Sequence, residues 1–467
     1  VFPRCSPSVP VPALAICSAF CSALGLALAF APPAAAQELS IPYEQYTLDN
    51  GLVVMLHVDH ASPQVVVNTW YDVGAKDEEV GRTGFAHLFE HLMFMGTTRL
   101  PDNGYDVEME RHGGWNNAWT SEDATDYYDV GPSHLLELLL WMEADRMDGL
   151  STAMTQEKLD RQREVVRNER RQSYEDSPYG VAWLAMPEIL YPSGHPYAHT
   201  VIGSHEDLEA ATVDDVVRFF DTWYVPANAG LVVAGDFDPS QARAWIDATY
   251  GSIPARPAPE RAAPPAAVDL PVTPLTELTD QVQASRTWML WHTPAAFAEG
   301  DAALDIVSGI LHSGRASRLY GALVTESGHA TEVHAAQYSQ QLGSIFVVSL
   351  TPAEGADCAT VETEAQAELT RLATDGPTGE ELARTKAKLS MDFLQGLEAL
   401  QTRASLLNRY RVLTGDPGFL AKDLERYGAV DAEAVKAAAA MLSESRRAVI
   451  RVHPEPTSDA DADGGAQ

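Results

Sequence analysis

Two histidines and a glutamate fall within five residues at His87-Leu88-Phe89-Glu90-His91, inside the apolar run 84–96. If that run is helical, His87 and His91 are i and i+4 on one face, with Glu90 beside them. Two imidazoles so placed can each give one nitrogen to a Zn²⁺ ion at ~2.0–2.1 Å, and the neighbouring carboxylate can take a proton from a water on the metal. A lone histidine on an apolar face usually reads as a hydrogen-bonded core residue. Three polar groups together need a common reason, because unpaired buried polar groups are costly, and metal binding supplies one.

A catalytic zinc needs a third protein ligand and an open position. The long helix predicted over 155–174 offers Glu157, Asp160, Glu164 and Glu169, and physics alone does not choose among them. Ahead of it, Gly113-Gly114-Trp115-Asn116-Asn117-Ala118-Trp119-Thr120-Ser121 leads into a predicted strand at 125–130. This stretch reads either as a hairpin with aromatic packing or as an edge strand that holds an extended peptide by strand addition.

The elements that must position these groups follow from periodicity and turn chemistry. Two strands around Asp49-Asn50-Gly51 are predicted over 43–58, a third over 64–73, and a strong helix over 134–147. The segment 178–196 reads as irregular, followed by a helix from 207 or 213 to 223, a strand at 229–235 and a helix from 239. Residues 253–274 are rich in proline and alanine and read as a linker. Beyond them the pattern repeats weakly: a strand at 286–292, helices at 301–311, 362–374, 378–410 and 431–442, and a strand at 448–452. Where the first half has its histidines, the second has Ile306-Val307-Ser308-Gly309-Ile310-Leu311, so metal chemistry is expected in the first half alone. The expected fold is α+β: two tandem, similar α/β-sandwich domains, each a mixed, mostly antiparallel sheet with helices packed on it.

The chain of 467 residues carries 66 acidic and 32 basic side chains, a formal charge of −34. That balance argues against nucleic acid, which needs a basic surface. Residues 1–36 read as an export signal: Arg4 is the only charge, an apolar run spans 11–30, and Ala34, Ala35 and Ala36 precede an expected cut after Ala36. The run is nearly long enough to span a bilayer, so an uncleaved anchor is the alternative; no later stretch is a membrane span. Export implies the bacterial periplasm. Three of the four cysteines fall in the signal, leaving Cys358 and no internal disulfide. The expected organisation is signal 1–36, zinc-binding domain 37–252, linker 253–274, second domain 275–455 without a metal site, and a disordered acidic tail 456–467.

Taken together, His87-Leu88-Phe89-Glu90-His91, Asn117-Ala118-Trp119-Thr120, Val165-Val166-Arg167-Asn168-Glu169 and His195-Pro196-Tyr197 resemble the insulinase/pitrilysin family of zinc peptidases, the inverzincins, and within it the processing-peptidase-like branch. The resemblance covers nearly all of the chain after the signal. It implies one Zn²⁺ per chain on His87, His91 and Glu169, with Glu90 as general base and later proton donor to the leaving amine, and substrate binding by Asn117, Ala118 and Thr120. The family's additional glutamate, seven residues before the third ligand, is replaced by Gln162. The family's Arg/Tyr pair that follows an S-R-L-[FY] motif is missing too: Ser317-Arg318-Leu319-Tyr320 is present, but Val324 and Thr331 occupy the two positions. Arg403 and Tyr410 share the spacing but lie in an unrelated helix. The resemblance therefore implies an exported zinc metalloendopeptidase subunit acting on peptides or unfolded segments, with a homologous partner subunit supplying the pair. The alternative is a non-catalytic binding or assembly subunit with a structural or vestigial zinc.

Overall fold

The computed structural model describes residues 39–456 apart from 262, 267 and 269–273. The expected signal at 1–36, and 457–467 of the expected acidic tail, lie outside the described residues.

The first half builds a six-stranded sheet from β1 (Glu44–Thr47), β2 (Val53–Val58), β3 (Gln64–Tyr71), β4 (Trp115–Thr120), β5 (Thr125–Pro132) and β6 (Ala229–Gly235), in the order β1-β2-β6-β3-β5-β4. The second half builds a five-stranded sheet from β7 (Leu275–Asp280), β8 (Arg286–Thr293), β9 (Ala330–Tyr338), β10 (Ser344–Pro352) and β11 (Ala448–Pro454), in the order β7-β11-β8-β10-β9. All pairings are antiparallel except β2 with β6 and β7 with β11. Removing β1 makes the two orders superimpose, parallel pair on parallel pair, so the weak repeat in sequence is a repeat of topology. The expected mixed, mostly antiparallel α+β architecture is what the chain adopts.

The central strands of each sheet are buried on both faces, which explains near-continuous apolar strands such as β3. Val65, Val67 and Tyr71 enter the main core of the first half, under the helices α1 (Phe85–Leu92), α2 (Gly104–Arg111) and α3 (Leu136–Ala153). Val66 points to the other face, where Ala404, Leu407 and Tyr410 of the helix Leu400–Thr414 cover it. That helix belongs to the second half in sequence. Reciprocally, two first-half helices follow α3: α4 (Gln156–Arg170) and α5 (Gly180–Leu190), the latter laying Ala182, Met186 and Leu190 against Trp288, Leu290, Val347 and Ile450 of the second sheet. Each half thus covers one face of the other's sheet.

Two expectations fail on these helices. The segment 178–196 is not irregular, because it contains α5 despite Pro187 inside it. The proline removes one backbone donor, and burial of one apolar face outweighs that loss. The single helix expected over 378–410 is two, Gly379–Gly396 and Leu400–Thr414, because the chain turns at 397–399 to cross onto the first sheet. That crossing is held by polar contacts: Asn408 Nδ2 donates to Asn68 Oδ1 at 2.8 Å and to Gly230 O at 3.1 Å, and Ser405 Oγ donates to Asp126 Oδ2 at 2.8 Å.

Candidate active site

α1 carries the two histidines, and its start is tightly specified. Its N-cap Gly84 has φ +87°, and a Cβ there would meet Ile202 O at 2.8 Å, so glycine is required twice over. Free N–H groups of the first turn are taken by Glu78, whose side chain is fully buried: Oε2 accepts from Gly84 N at 2.9 Å and Oε1 from Ala86 N at 2.7 Å. Phe85, Ala86, Leu88, Phe89 and Leu92 are buried, which leaves His87, Glu90 and His91 on the remaining face.

α4 crosses that face. It starts at Thr155, whose hydroxyl oxygen accepts from Lys158 N at 3.3 Å. Of its four acidic candidates, three are paired with an arginine one turn on: Glu157 with Arg161 at 3.3 Å, Asp160 with Arg163 at 2.6 Å and Glu164 with Arg167 at 2.8 Å. Glu169 instead reaches the histidines, with Oε1 3.7 Å from His87 Nε2 and Oε2 3.3 Å from His91 Nε2. The two Nε2 atoms are themselves 3.3 Å apart. Ligands held ~2.0–2.1 Å from a tetrahedral zinc lie roughly 3.3 Å from one another, so the three spacings fit that ion. No other group of three or more His, Cys, Asp or Glu among the described residues converges in this way.

The electrostatics agree with this use. Burial, with the neighbouring His91 adding to it, pushes the His87 ring down to about 4, so it is neutral with a free lone pair at neutral pH. The hydrogen bond with His91, opposed by burial, holds the Glu169 carboxyl below its ordinary value. Glu90 moves the other way: burial raises it, against the hydrogen bond it accepts from Thr120. His87 Nδ1 is buried with no hydrogen-bond partner.

The expected substrate strand is β4, which lies at the outer edge of the first sheet. Asn117 is exposed on it and Ala118 is buried. Thr120, at the end of the strand, donates its hydroxyl to Glu90 Oε2 at 2.6 Å. Gln162, in place of the family's acid, is turned onto Met95 Sδ. Val324 packs on the core of the second half, and Thr331 Oγ1 donates to Thr351 O at 3.3 Å. Arg403 pairs with Asp59 of the first half at 2.7 Å, and Tyr410 donates to Asp423 within the second half at 2.8 Å. Tyr197 of His195-Pro196-Tyr197 also acts as a brace: its hydroxyl donates to Asp123 Oδ1 at 2.5 Å and accepts from Leu342 N at 2.9 Å.

Sequence reasoning missed Glu78. Its only signal is an acidic side chain shortly before a helix N-terminus, where the helix dipole and free N–H groups favour one.

Comparison with known proteins adds four findings. The family model described as Insulinase (Peptidase family M16) matches residues 53–192, and that described as Peptidase M16 inactive domain matches residues 210–389. The zinc protease PqqE of Helicobacter pylori is 28% identical over 382 residues, which cover 81% of this chain and 85% of that protein. Among solved structures, a protease from Helicobacter pylori superimposes with a TM-score of 0.82 at 25% identity, over 89% of this chain and all of that one. The first half of the periplasmic protease PqqL from Escherichia coli shares the fold, with a TM-score of 0.70 at 19% identity over 89% and 93% of the two chains.

Proposed function

The chain belongs to the insulinase family, peptidase family M16, and from that premise we propose that it is an exported zinc metalloendopeptidase subunit that hydrolyses peptides or unfolded segments. The observation that carries the reading is the selective freedom of Glu169. Three neighbouring acids on the same helix have arginine partners, and Glu169 alone turns to His87 and His91.

His87, His91 and Glu169 would hold one Zn²⁺, which supplies Lewis acidity toward a water and a peptide carbonyl. Glu90 takes no part in that ligand set. Thr120 holds its Oε2, so Oε1 is the atom that accepts the water's proton and later returns it to the leaving amine nitrogen. An extended peptide added to the free edge of β4, beside Asn117 and Ala118, would lie along the same side of α1. Export is supported by the character of residues 1–36 and by the fold shared with a periplasmic protease. No helix among the described residues is long and apolar enough to cross a membrane.

The division into a zinc-binding half at 37–252 and a metal-free half at 275–455, joined by the linker 253–274, belongs to the same proposal. Its support is that the strands of each sheet fall within one of these segments. Val324 and Thr331, standing where the family has arginine and tyrosine, favour a homologous partner subunit that completes the site. They equally favour the second reading, a non-catalytic binding or assembly subunit with a structural zinc. The test is zinc content and peptide cleavage for the native chain and Glu90→Gln, each alone and mixed with a homologous partner. The peptidase reading expects stoichiometric zinc in both and cleavage in the native chain only. Full cleavage by Glu90→Gln would overturn the role of Glu90, and zinc without cleavage in every mixture would favour the second reading.

A further inference from the structure

Within the second half, the helices Asp301–His312, Gly379–Gly396, Leu400–Thr414 and Leu420–Ala429 surround a cavity of about 380 Å³, in the size range of small-molecule sites. No residue of the first half lines it, so it is separate from His87, His91 and Glu169. Its walls carry four aspartates and two arginines, and four of these six charges are already engaged. Arg426 lies between Asp423 and Asp301, at 2.7 and 3.0 Å. Asp423 also accepts from Tyr410 at 2.8 Å, and Asp301 accepts from Ser339 Oγ at 2.6 Å and Phe297 N at 2.9 Å. Asp392 has both oxygens on Lys388 Nζ, at 3.0 and 2.7 Å.

Asp305 and Arg409 are left over. Tyr427 donates to Asp305 Oδ2 at 2.6 Å, while Oδ1 accepts no hydrogen bond and keeps accessible surface. Burial pushes this carboxyl up to about 6, against the hydrogen bond from Tyr427, so it is ionised at neutral pH without a cation paired to it. Arg409 makes no hydrogen bond or ion pair among the described residues; its guanidinium stands 5.8 Å from the centroid of the Phe297 ring. The two charges act on each other across the cavity, yet no ion pair joins them. A bare carboxylate and a bare guanidinium therefore face one space. Between them the wall is apolar, with Leu389, Phe393, Leu406 and Leu424. Phe297, at the edge of the cavity, is held at φ +63°, a strained conformation for a bulky residue and one that gathers at ligand sites.

These charges select a ligand class. A simple amine would meet Asp305 but be repelled by Arg409. A simple carboxylate would meet Arg409 but be repelled by Asp305 and by the net negative charge of Asp301, Asp423 and Arg426 taken together. A zwitterion satisfies both ends, through two charge-assisted hydrogen-bonding contacts, and an apolar substituent between its charges can be buried on the leucines and Phe393. We propose that this cavity binds a free α-amino acid with an apolar side chain, its ammonium on Asp305 and its carboxylate on Arg409. The proposal does not rest on the peptidase reading, and its test needs no cleavage.

The test is calorimetric titration of the full chain with leucine, phenylalanine, glycine, leucinamide and N-acetyl-leucine. Leucine and phenylalanine should bind saturably at one site per chain. Glycine should bind about tenfold or more weaker for want of apolar burial, and the amide and the acetyl derivative about tenfold or more weaker for want of one charge. Asp305→Asn should weaken leucine about tenfold and erase its advantage over N-acetyl-leucine. Arg409→Gln should erase its advantage over leucinamide. Asp392→Asn, which removes a carboxylate already held by Lys388, should bind leucine as the native chain does. No saturable binding of leucine or phenylalanine would overturn the proposal. So would an amide or acetyl derivative that binds the native chain as tightly as leucine, or a loss in Asp392→Asn as large as in Asp305→Asn. If circular dichroism shows a variant unfolded, the ligand series on the native chain decides by itself.

Discussion

Thr120 donates its hydroxyl to Glu90 Oε2 at 2.6 Å, from the end of the edge strand β4 to the middle of α1. The contact joins the strand proposed to hold the peptide to the group proposed to move the proton. It fixes one carboxylate oxygen and leaves the other outside that hydrogen bond. Removing it with Thr120→Val should lower kcat about tenfold or more, the scale of a hydrogen bond to a charged group, with little change in KM. Thr120→Ser should restore most of the rate. A Thr120→Val variant that raises KM and spares kcat would return Thr120 to peptide binding alone.

Glu78 gives a second prediction, about architecture more than chemistry. Its two carboxylate oxygens cap the N–H groups of Gly84 and Ala86, in the turn that leads into His87. Glu78→Ala leaves both donors buried and bare, a loss of about 1–3 kcal/mol. Urea unfolding should register that loss, and zinc affinity should fall with it, because the first histidine sits on the loosened turn. Glu78→Gln, which keeps one acceptor, should fall between the two. Native stability in Glu78→Ala would show that the cap is redundant.

The site was legible in the sequence where chemistry is local, and hidden where packing is long-range. His87, Glu90 and His91 share one helical turn, so their spacing alone places them on one face. Glu169 is selected by family resemblance, although spacing carries a signal too: Glu157, Asp160 and Glu164 each have an arginine three or four residues on, and Glu169 has Gln172 and Ser173 there. In the fold the reason is visible, since the other three face arginines on their own helix. The contact of Thr120 with Glu90 was hidden, because sequence gives no sign that the end of β4 lies over α1. The same limit hid α5 behind Pro187 and the break at 397–399, as both depend on which half covers which sheet. The repeat itself was visible only weakly, because the strand order is conserved between the halves while the residues that carry chemistry are not.

The motif Ser317-Arg318-Leu319-Tyr320 has a structural use that predicts a pH effect. Arg318 donates from Nε and Nη2 to both oxygens of Glu381, at 2.8 and 2.9 Å, and these contacts hold the Glu381 carboxyl down at about 2. A folded-state value below the unfolded one means stability gained above the unfolded value and lost as pH falls toward the folded one. Glu381 should therefore support the second half at neutral pH and lose that contribution between the ordinary carboxylate range and about 2. The difference in unfolding free energy between native chain and Glu381→Gln should shrink steadily as pH falls below about 4.5, the ordinary glutamate range. A difference that stays constant down to the acid limit would rule out the ion pair as its source.

The proposed third ligand can be separated from its look-alikes by metal content. Glu164 and Glu169 lie on one helix, five residues apart, and both side chains are partly exposed, 56% and 40%, so neither substitution should unfold the chain. Glu164→Gln removes only a surface pairing with Arg167, worth little in stability, and should keep zinc at one per chain after dialysis. Glu169→Gln removes the carboxylate that stands 3.3 Å from His91 Nε2. Its zinc affinity should fall by more than the roughly 10–100-fold that changes in outer-shell partners cost, with the circular dichroism spectrum unchanged. Zinc bound equally well by both variants would remove Glu169 from the ligand set. Zinc lost from Glu164→Gln but kept by Glu169→Gln would mean that α4 rotates by more than a quarter turn when the metal enters, since residues five apart on a helix point roughly 140° from one another.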